Sequence, residues 1–268
     1  MMEALSLPFM QRALAAGLML AVLGGYFGPL VVQRRLAFLG SGLAHAAFGG
    51  VALGLLLGVD PLWTALPFTV AVALGITATT SAAPGRISGD TAIGIFFSVA
   101  TALGVVFLAL RTQYSADAMA YLFGSMLSVR TSDLWATAAM LCLTLATVRL
   151  WPRWAYATFD RELAIADRLP VLRDDHLLAG SVALTVVLAV KMVGIVLVAA
   201  FLVVPAAAGR LLAERFLTMT LCAMALGAGS VVAGLALSYA LDLPSGAAII
   251  LVQAAVFFLL FLFRRRVP

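Results

Sequence analysis

The most constraining feature of the chain is a series of eight stretches that contain no Asp, Glu, Lys or Arg. They cover residues 13–33, 36–59, 61–85, 91–110, 134–148, 192–209, 216–241 and 243–263. About 20 apolar residues suffice to cross a bilayer as a helix, whose backbone satisfies its own hydrogen bonds in lipid. With 64% apolar and 11% charged residues over 268 positions, little chain is left for a large soluble domain. We predict a single all-α transmembrane domain, 1–268, with about eight transmembrane helices.

Two shorter stretches need separate treatment. The stretch 134–148 is short for a span, but Trp135, Trp151 and Trp154 flank it. Tryptophan is enriched at membrane interfaces, so we predict that this stretch crosses the membrane. By contrast, 118–129 contains too few residues to cross and predicts a short interfacial or re-entrant helix.

The stretch 177–208 determines the predicted topology. It is too long for one simple span and contains Lys191 and Gly194 near its middle. If it turns back at Gly194 as a broken helix hairpin, one side of the membrane receives thirteen arginines and the other only three. Cytoplasmic loops carry the excess of basic residues, so the N-terminus is predicted outside and the C-terminus in the cytoplasm. The thirteen are Arg34, Arg35, Arg86, Arg149, Arg153, Arg161, Arg168, Arg173, Arg210, Arg215, Arg264, Arg265 and Arg266.

Two segments between the spans are predicted to be cytoplasmic. Residues 152–176 include an amphipathic stretch from Phe159 to Leu169, which is typical of a short, solvated connecting helix. Residues 205–215 form a short helix predicted to begin at Pro205, because proline favours the first helical turn. A helix this short needs a surface to pack on, which points to a peripheral partner protein.

Several kinds of catalytic chemistry have no sequence support. The only lysine, Lys191, is not in a glycine-rich phosphate-binding loop, and neither His45 nor His176 belongs to an HExxH motif. Carriers that are coupled to protons or sodium ions usually have ionisable residues within their spans, and these spans have almost none. We therefore predict a permease that is not an enzyme and that is driven by an external motor. An autonomous carrier or channel and a membrane scaffold remain alternatives. The arginines lie between apolar stretches, a pattern that indicates topology and no nucleic-acid surface.

The second stretch contains the strongest candidate for metal contact. Ser41 and His45 lie four residues apart, so they share one helix face. Imidazole is a good ligand for zinc and other transition metals. The alternative is a structural histidine that hydrogen-bonds to a neighbouring helix.

Several longer motifs resemble the zinc/manganese/iron permease family of ABC importers. They follow the order of that family along most of the chain. The motifs are RRLAFLGSGLAHAAFGGVALGLLLGVDP (34–61), DTAIGIFFS (90–98), AYLFGSMLSV (120–129), FDRELAIADRLPV (159–171), KMVGIVLVAAFLVVPAAAGRLLA (191–213) and LSYALDLPSGAAIILV (237–252).

The resemblance implies a homodimeric permease with the fold of the cobalamin-type (type II) ABC importers in the plasma membrane of a prokaryote. It also implies two cytoplasmic ABC ATPase subunits and an extracytoplasmic metal-binding protein. The segment 205–215 matches the ATPase-coupling segment of the family. Its candidate contact residues are Pro205, Ala206, Ala207, Arg210, Leu211 and Arg215.

The resemblance also implies the metal contacts. The family places an aspartate and a histidine in the second-helix motif, and these positions are Ser41 and His45 here; Ser125 occupies a second commonly acidic position. One His45 from each protomer is expected to form a sparse transport site. Lys191 and Gly194 are candidate gate residues. The expected cargo is a divalent metal, zinc first and manganese or iron as alternatives, with no permanently bound cofactor.

Overall fold

The computed structural model describes residues 7–83, 85–111 and 124–264. Within these ranges the chain forms eleven α-helices, one short 3₁₀ turn at Met126–Ser128 and no strand. The helices are α1 Pro8–Gln33, α2 Leu39–Leu57, α3 Pro61–Ala82, α4 Gly89–Ala109, α5 Thr131–Thr147, α6 Trp151–Phe159, α7 Arg161–Ala166, α8 Val171–Val193, α9 Val198–Leu212, α10 Phe216–Leu241 and α11 Ser245–Arg264.

The number of spans agrees with the prediction. In the described residues, seven helices are long and apolar enough to cross a membrane: α1, α2, α3, α4, α8, α10 and α11. The pair α5 and α6, bent by 71°, supplies an eighth if it is counted as one span. The shorter apolar helix α9 follows the break after α8. The predicted all-α membrane fold with about eight spans is therefore confirmed.

Helices α1 and α8 form the centre of the bundle, because most of their residues are buried. Glycines on α1 allow its neighbours to approach closely. A Cβ at Gly25 would lie 2.5 Å from the backbone of Met224 on α10, and a Cβ at Gly28 would overlap the carbonyl oxygen of Leu202 on α9. Small residues of this kind let membrane helices pack backbone to backbone.

The predicted break at Gly194 is present. Helix α8 ends at Val193, and α9 begins at Val198. Gly194 has φ 95° and ψ 152°, a conformation that essentially only glycine adopts. A side chain at Gly124, which also has positive φ, would overlap the backbone of Gly194. Glycine is therefore required on both sides of this contact.

The prediction that the coupling helix begins at Pro205 was wrong. Pro205 does not begin a helix but lies inside α9, which already starts at Val198. The apolar residues before the proline continue into the same helix. The lost hydrogen bond and the ring clash of an internal proline are tolerated because α9 packs on α1 and α10. Half of the predicted short helix at 118–129, residues 118–123, lies outside the described ranges; the described half, 124–129, contains only the short 3₁₀ turn at Met126–Ser128.

The connecting segment 152–176 also differs from the prediction. It comprises most of α6, all of α7 and the first turn of α8, so it contains more than one short helix. Trp154, expected at the membrane interface, is fully buried. Asp174 and Asp175 at the start of α8 are also buried, so the segment packs against the bundle.

Candidate functional site

The imidazole of His45 is held in one orientation by its own helix. Its Nδ1 lies 2.9 Å from the main-chain oxygen of Ser41, one turn earlier on α2. A carbonyl oxygen only accepts hydrogen bonds, so Nδ1 is the donor in this contact and Nε2 is the ring nitrogen left for a further contact. The ring packs on Phe97 of α4, with ring centroids 4.5 Å apart. The Nδ1 contact and the packing on Phe97 therefore fix the orientation of the imidazole, as the second contact of a ligating histidine does in metal sites.

Ser41 contributes through its backbone. Ser41 and His45 are both half-buried, and their i, i+4 spacing brings the Ser41 carbonyl to the imidazole, as their shared helix face predicts. Among the described residues, no three His, Cys, Asp or Glu side chains come close enough together to hold a metal ion. A single described protomer thus provides one strong metal ligand at this position.

Lys191 has a partner that the sequence motifs do not indicate. Its Nζ donates to Oδ1 of Asp133 at 2.6 Å, and Asp133 is almost completely buried. The other carboxylate oxygen of Asp133 accepts the backbone N–H of Arg130 at 2.9 Å, at the start of α5. A charge in a membrane protein is stable chiefly when it is paired, and Asp133 satisfies that requirement.

Three segments of the chain meet at the break beside Lys191. The N–H of Ser125 donates to the Lys191 carbonyl at 3.5 Å, and the N–H of Met126 donates to Oγ of Ser245 at 3.1 Å. A Cβ at Gly246 would lie 2.7 Å from the Val193 carbonyl oxygen. The end of α8, the turn at 124–126 and the start of α11 are therefore in direct contact. We call this cluster, together with the Lys191–Asp133 pair, the Gly194 junction.

The predicted coupling residues divide into a packed part and an exposed part. Pro205 and Ala206 are buried and Ala207 is half-buried, because α9 packs on α1 and α10. Leu211 is half-buried, whereas Arg210 and Arg215 are exposed. A Cβ at Gly209 would lie 2.6 Å from the carbonyl oxygen of Met219, so the end of α9 lies directly against α10.

A second set of ion pairs lies at the opposite end of α8. Asp175 accepts from Nη1 of Arg34 at 2.6 Å and from Nη1 of Arg161 at 2.5 Å. Arg153 donates to both oxygens of Asp174, at 2.8 and 2.9 Å. These pairs bind the end of α1 and the connecting segment to the start of α8. We call them the arginine network.

Comparison with known proteins shows where this architecture belongs. The model of the ABC 3 transport family matches residues 6–264. The chain is 36% identical over 256 residues to the manganese transport system membrane protein MntC of Listeria innocua, covering 95% of this chain and 90% of that protein. It is 33% identical over 254 residues to the manganese import system permease protein ScaB of Streptococcus gordonii, covering 94% and 90%.

Solved structures share the fold. The structure of PsaBC from Streptococcus pneumoniae in complex with Fab superimposes with a TM-score of 0.85 at 30% identity, covering 97% of this chain and 94% of that one. An inward-facing structure described as a metal-chelate type ABC transporter gives 0.70 at 16% identity, covering 97% and 88%, and supports the fold alone. The chain therefore belongs to the ABC 3 transport family, which confirms the prediction from its motifs that it is a metal ABC transporter permease.

Proposed function

We propose that this chain is the membrane-spanning permease subunit of an ATP-driven importer that carries manganese(II) into the cytoplasm. The observation that carries the proposal is the match over nearly the whole length to permeases of manganese transport systems. A match of this extent includes the metal-contact, junction and coupling regions together.

The proposed cargo is manganese, whereas zinc was expected first from the sequence, with manganese or iron as alternatives. Imidazole alone suits zinc, and zinc was the first expectation for that reason and from the resemblance. Ligand type separates these metals only weakly when a site has few ligands, whereas the named relatives are manganese systems. Manganese, the earlier alternative, is therefore the better-supported cargo.

The transport site is proposed to form between two copies of the chain. At this position one described protomer contributes the imidazole of His45, and no group of three His, Cys, Asp or Glu side chains forms among the described residues. In a homodimer, two such imidazoles, together with water or carbonyl oxygens, would hold the ion weakly. Weak binding suits a permease because the ion must leave again, while an extracytoplasmic binding protein captures it.

The proposed coupling runs through α9. Two cytoplasmic ABC ATPase subunits would contact the end of α9 and its following turn, where Arg210 and Arg215 are exposed. Glycine contacts at Gly28 and Gly209 place the backbone of α9 against α1 and α10. A displacement at the exposed end would therefore be transmitted to the centre of the bundle, because packed interiors yield little to compression.

The Gly194 junction is proposed to lie at the outer gate, and the arginine network on the cytoplasmic side. The two clusters occupy opposite ends of α8. With the arginine-rich end of α8 assigned to the cytoplasm by the excess of basic residues there, the proposal keeps the predicted orientation, with the N-terminus outside and the C-terminus in the cytoplasm.

The experiment that tests the proposal is the elemental content of cells lacking this protein, grown with one metal limiting at a time. A selective fall in manganese, restored by the wild-type chain, supports the proposal. A selective fall in zinc or iron would retain the permease and overturn the choice of cargo. An autonomous carrier would restore metal uptake without an ATPase, so failure of an ABC ATPase to co-purify with the active chain would contradict the proposed mechanism.

A further inference from the structure

A cavity of about 940 Å³ adjoins the arginine network. Its wall is formed by the ends of α1 and α3, the loop after α1, the starts of α2, α4 and α8, and the connecting segment. Its apolar lining includes the exposed Ile165 and Leu172 and the half-buried Leu36. Behind the exposed surface it also includes residues of spanning helices that are almost fully buried, namely Leu39, Ile76 and Leu178. The cavity is thus at the level where a spanning helix ends and the membrane headgroups begin.

The charge of this cavity is strongly positive. Among the described residues, four arginines and a single acidic residue, Asp175, line it; the arginines are Arg34, Arg35, Arg161 and Arg173. Asp175 is already shared between Arg34 and Arg161. Arg35 and Arg173 are exposed and form no ion pair with any acidic side chain in the part of the chain that the structure describes.

These charges exclude some occupants and favour another. A divalent cation would be repelled by the arginines, so the cavity is not a route for metal. A small anion would use the arginines but leave the apolar wall uncovered. An anionic phospholipid satisfies both parts, because its phosphate pairs with arginine and its acyl chains cover apolar surface. Basic pockets between spanning helices are known to hold such headgroups.

We propose that this cavity is a binding site for one anionic phospholipid, with the headgroup phosphate at Arg35 and Arg173 and the acyl chains along Leu36, Ile165 and Leu172. The shared carboxylate of Asp175 holds Arg34 and Arg161 in place beside it. The bound lipid would contact the C-terminal ends of α1 and α3 and the N-terminal end of α8, and so hold these three helix ends together. This inference does not depend on which metal the permease carries.

The test uses the full-length chain purified in detergent with dioleoyl phosphatidylglycerol, and native mass spectrometry to count the lipid retained. The wild-type chain is expected to retain one phosphatidylglycerol and to prefer it to dioleoyl phosphatidylcholine. The double variant Arg35→Gln, Arg173→Gln is expected to bind about 30-fold more weakly, since each arginine near an anionic headgroup contributes roughly fivefold.

The matched control is Arg149→Gln, Arg168→Gln. It removes the same charge from two exposed arginines that do not line the cavity. Arg35 and Arg168 also share the same positive φ of 59°, so the backbone cost of the two double variants is alike. Equal loss of phosphatidylglycerol in both double variants would show a general surface effect and overturn the proposal.

Two further arms separate a lipid from other occupants. Thr80→Trp narrows the cavity but keeps all four arginines, and it is expected to reduce phosphatidylglycerol retention while leaving the weak binding of inorganic phosphate unchanged. Complete displacement of the lipid by millimolar phosphate would mean that the cavity takes a free anion. Loss of a co-purified ATPase from the arginine variant, with lipid retention unchanged, would mean that it is a protein contact. Either result would overturn the proposal.

Discussion

At the scale of single residues, the Lys191–Asp133 pair has the clearest energetic consequence. Both side chains lie mostly inside the protein, and their charged atoms are 2.6 Å apart. Removal of one partner leaves the other charge buried without compensation, which typically costs about 3 kcal/mol or more. We expect Asp133→Asn and Lys191→Met each to lower the free energy of unfolding by roughly this amount.

The double variant Asp133→Asn, Lys191→Met is expected to be less destabilised than the sum of the two single variants, because no buried charge remains. The measurement is a double-mutant cycle from denaturant unfolding in detergent. Additive effects, with no coupling between the two positions, would show that the ion pair does not stabilise the fold.

The sequence predicted some of these residues and not others. The i, i+4 spacing correctly placed Ser41 and His45 on one face, since helix geometry is a local property. Asp133 was not predicted because it is 58 residues from Lys191, and pairing over that distance depends on the packing of α5 against α8. The one available signal was physical: a lone lysine within apolar sequence requires an acidic partner.

At the scale of elements, glycine contacts determine how α9 sits in the bundle. An added methyl group at Gly28 would overlap the Leu202 carbonyl, whereas a methyl group at Gly180 on α8 would meet nothing within 4 Å. We expect Gly28→Ala to be destabilised by about 1–3 kcal/mol through overpacking and to lower the melting temperature. Gly180→Ala is the matched control and is expected to melt at or slightly above the wild-type temperature.

Measurement of both melting temperatures in the same detergent tests this account of α9. Equal stability of the two variants would contradict the backbone contact between α1 and α9, and with it the proposed route of coupling.

The boundaries of the elements show what local patterns can and cannot establish. Charge-free stretches located the spans well, because insertion into lipid depends mainly on length and hydropathy. The break at Gly194 was predicted from chain length and charge counting. The start of the helix at Pro205 was not, because proline at a first turn and proline inside a helix have similar local sequences, and packing on α1 and α10 decides between them.

At the scale of the whole molecule, the orientation of the chain in the membrane can be tested with α10. Glu214 and Asp242 are exposed and lie at opposite ends of this helix. A 26-residue helix extends about 39 Å, which is longer than the hydrocarbon core. In a chain whose Cys142 and Cys222 are replaced by serine, we expect Glu214→Cys to react only with a cytoplasmic thiol reagent and Asp242→Cys only with an external one.

Labelling of intact cells with a membrane-impermeant reagent, before and after permeabilisation, makes this measurement. The reversed pattern would contradict the predicted orientation, and external labelling at both positions would contradict a spanning α10.

The most direct test of the central claim is the initial rate of radioactive manganese uptake by cells lacking this protein that carry wild-type, His45→Ala or His176→Ala copies. Both histidines bond through Nδ1 to the carbonyl four residues earlier, but only His45 is proposed to contact metal. Wild type and His176→Ala are expected to restore uptake, and His45→Ala to reduce it at least about tenfold, as loss of a metal-site group does. Full uptake with His45→Ala, or no uptake of manganese with the wild-type chain, would contradict the account.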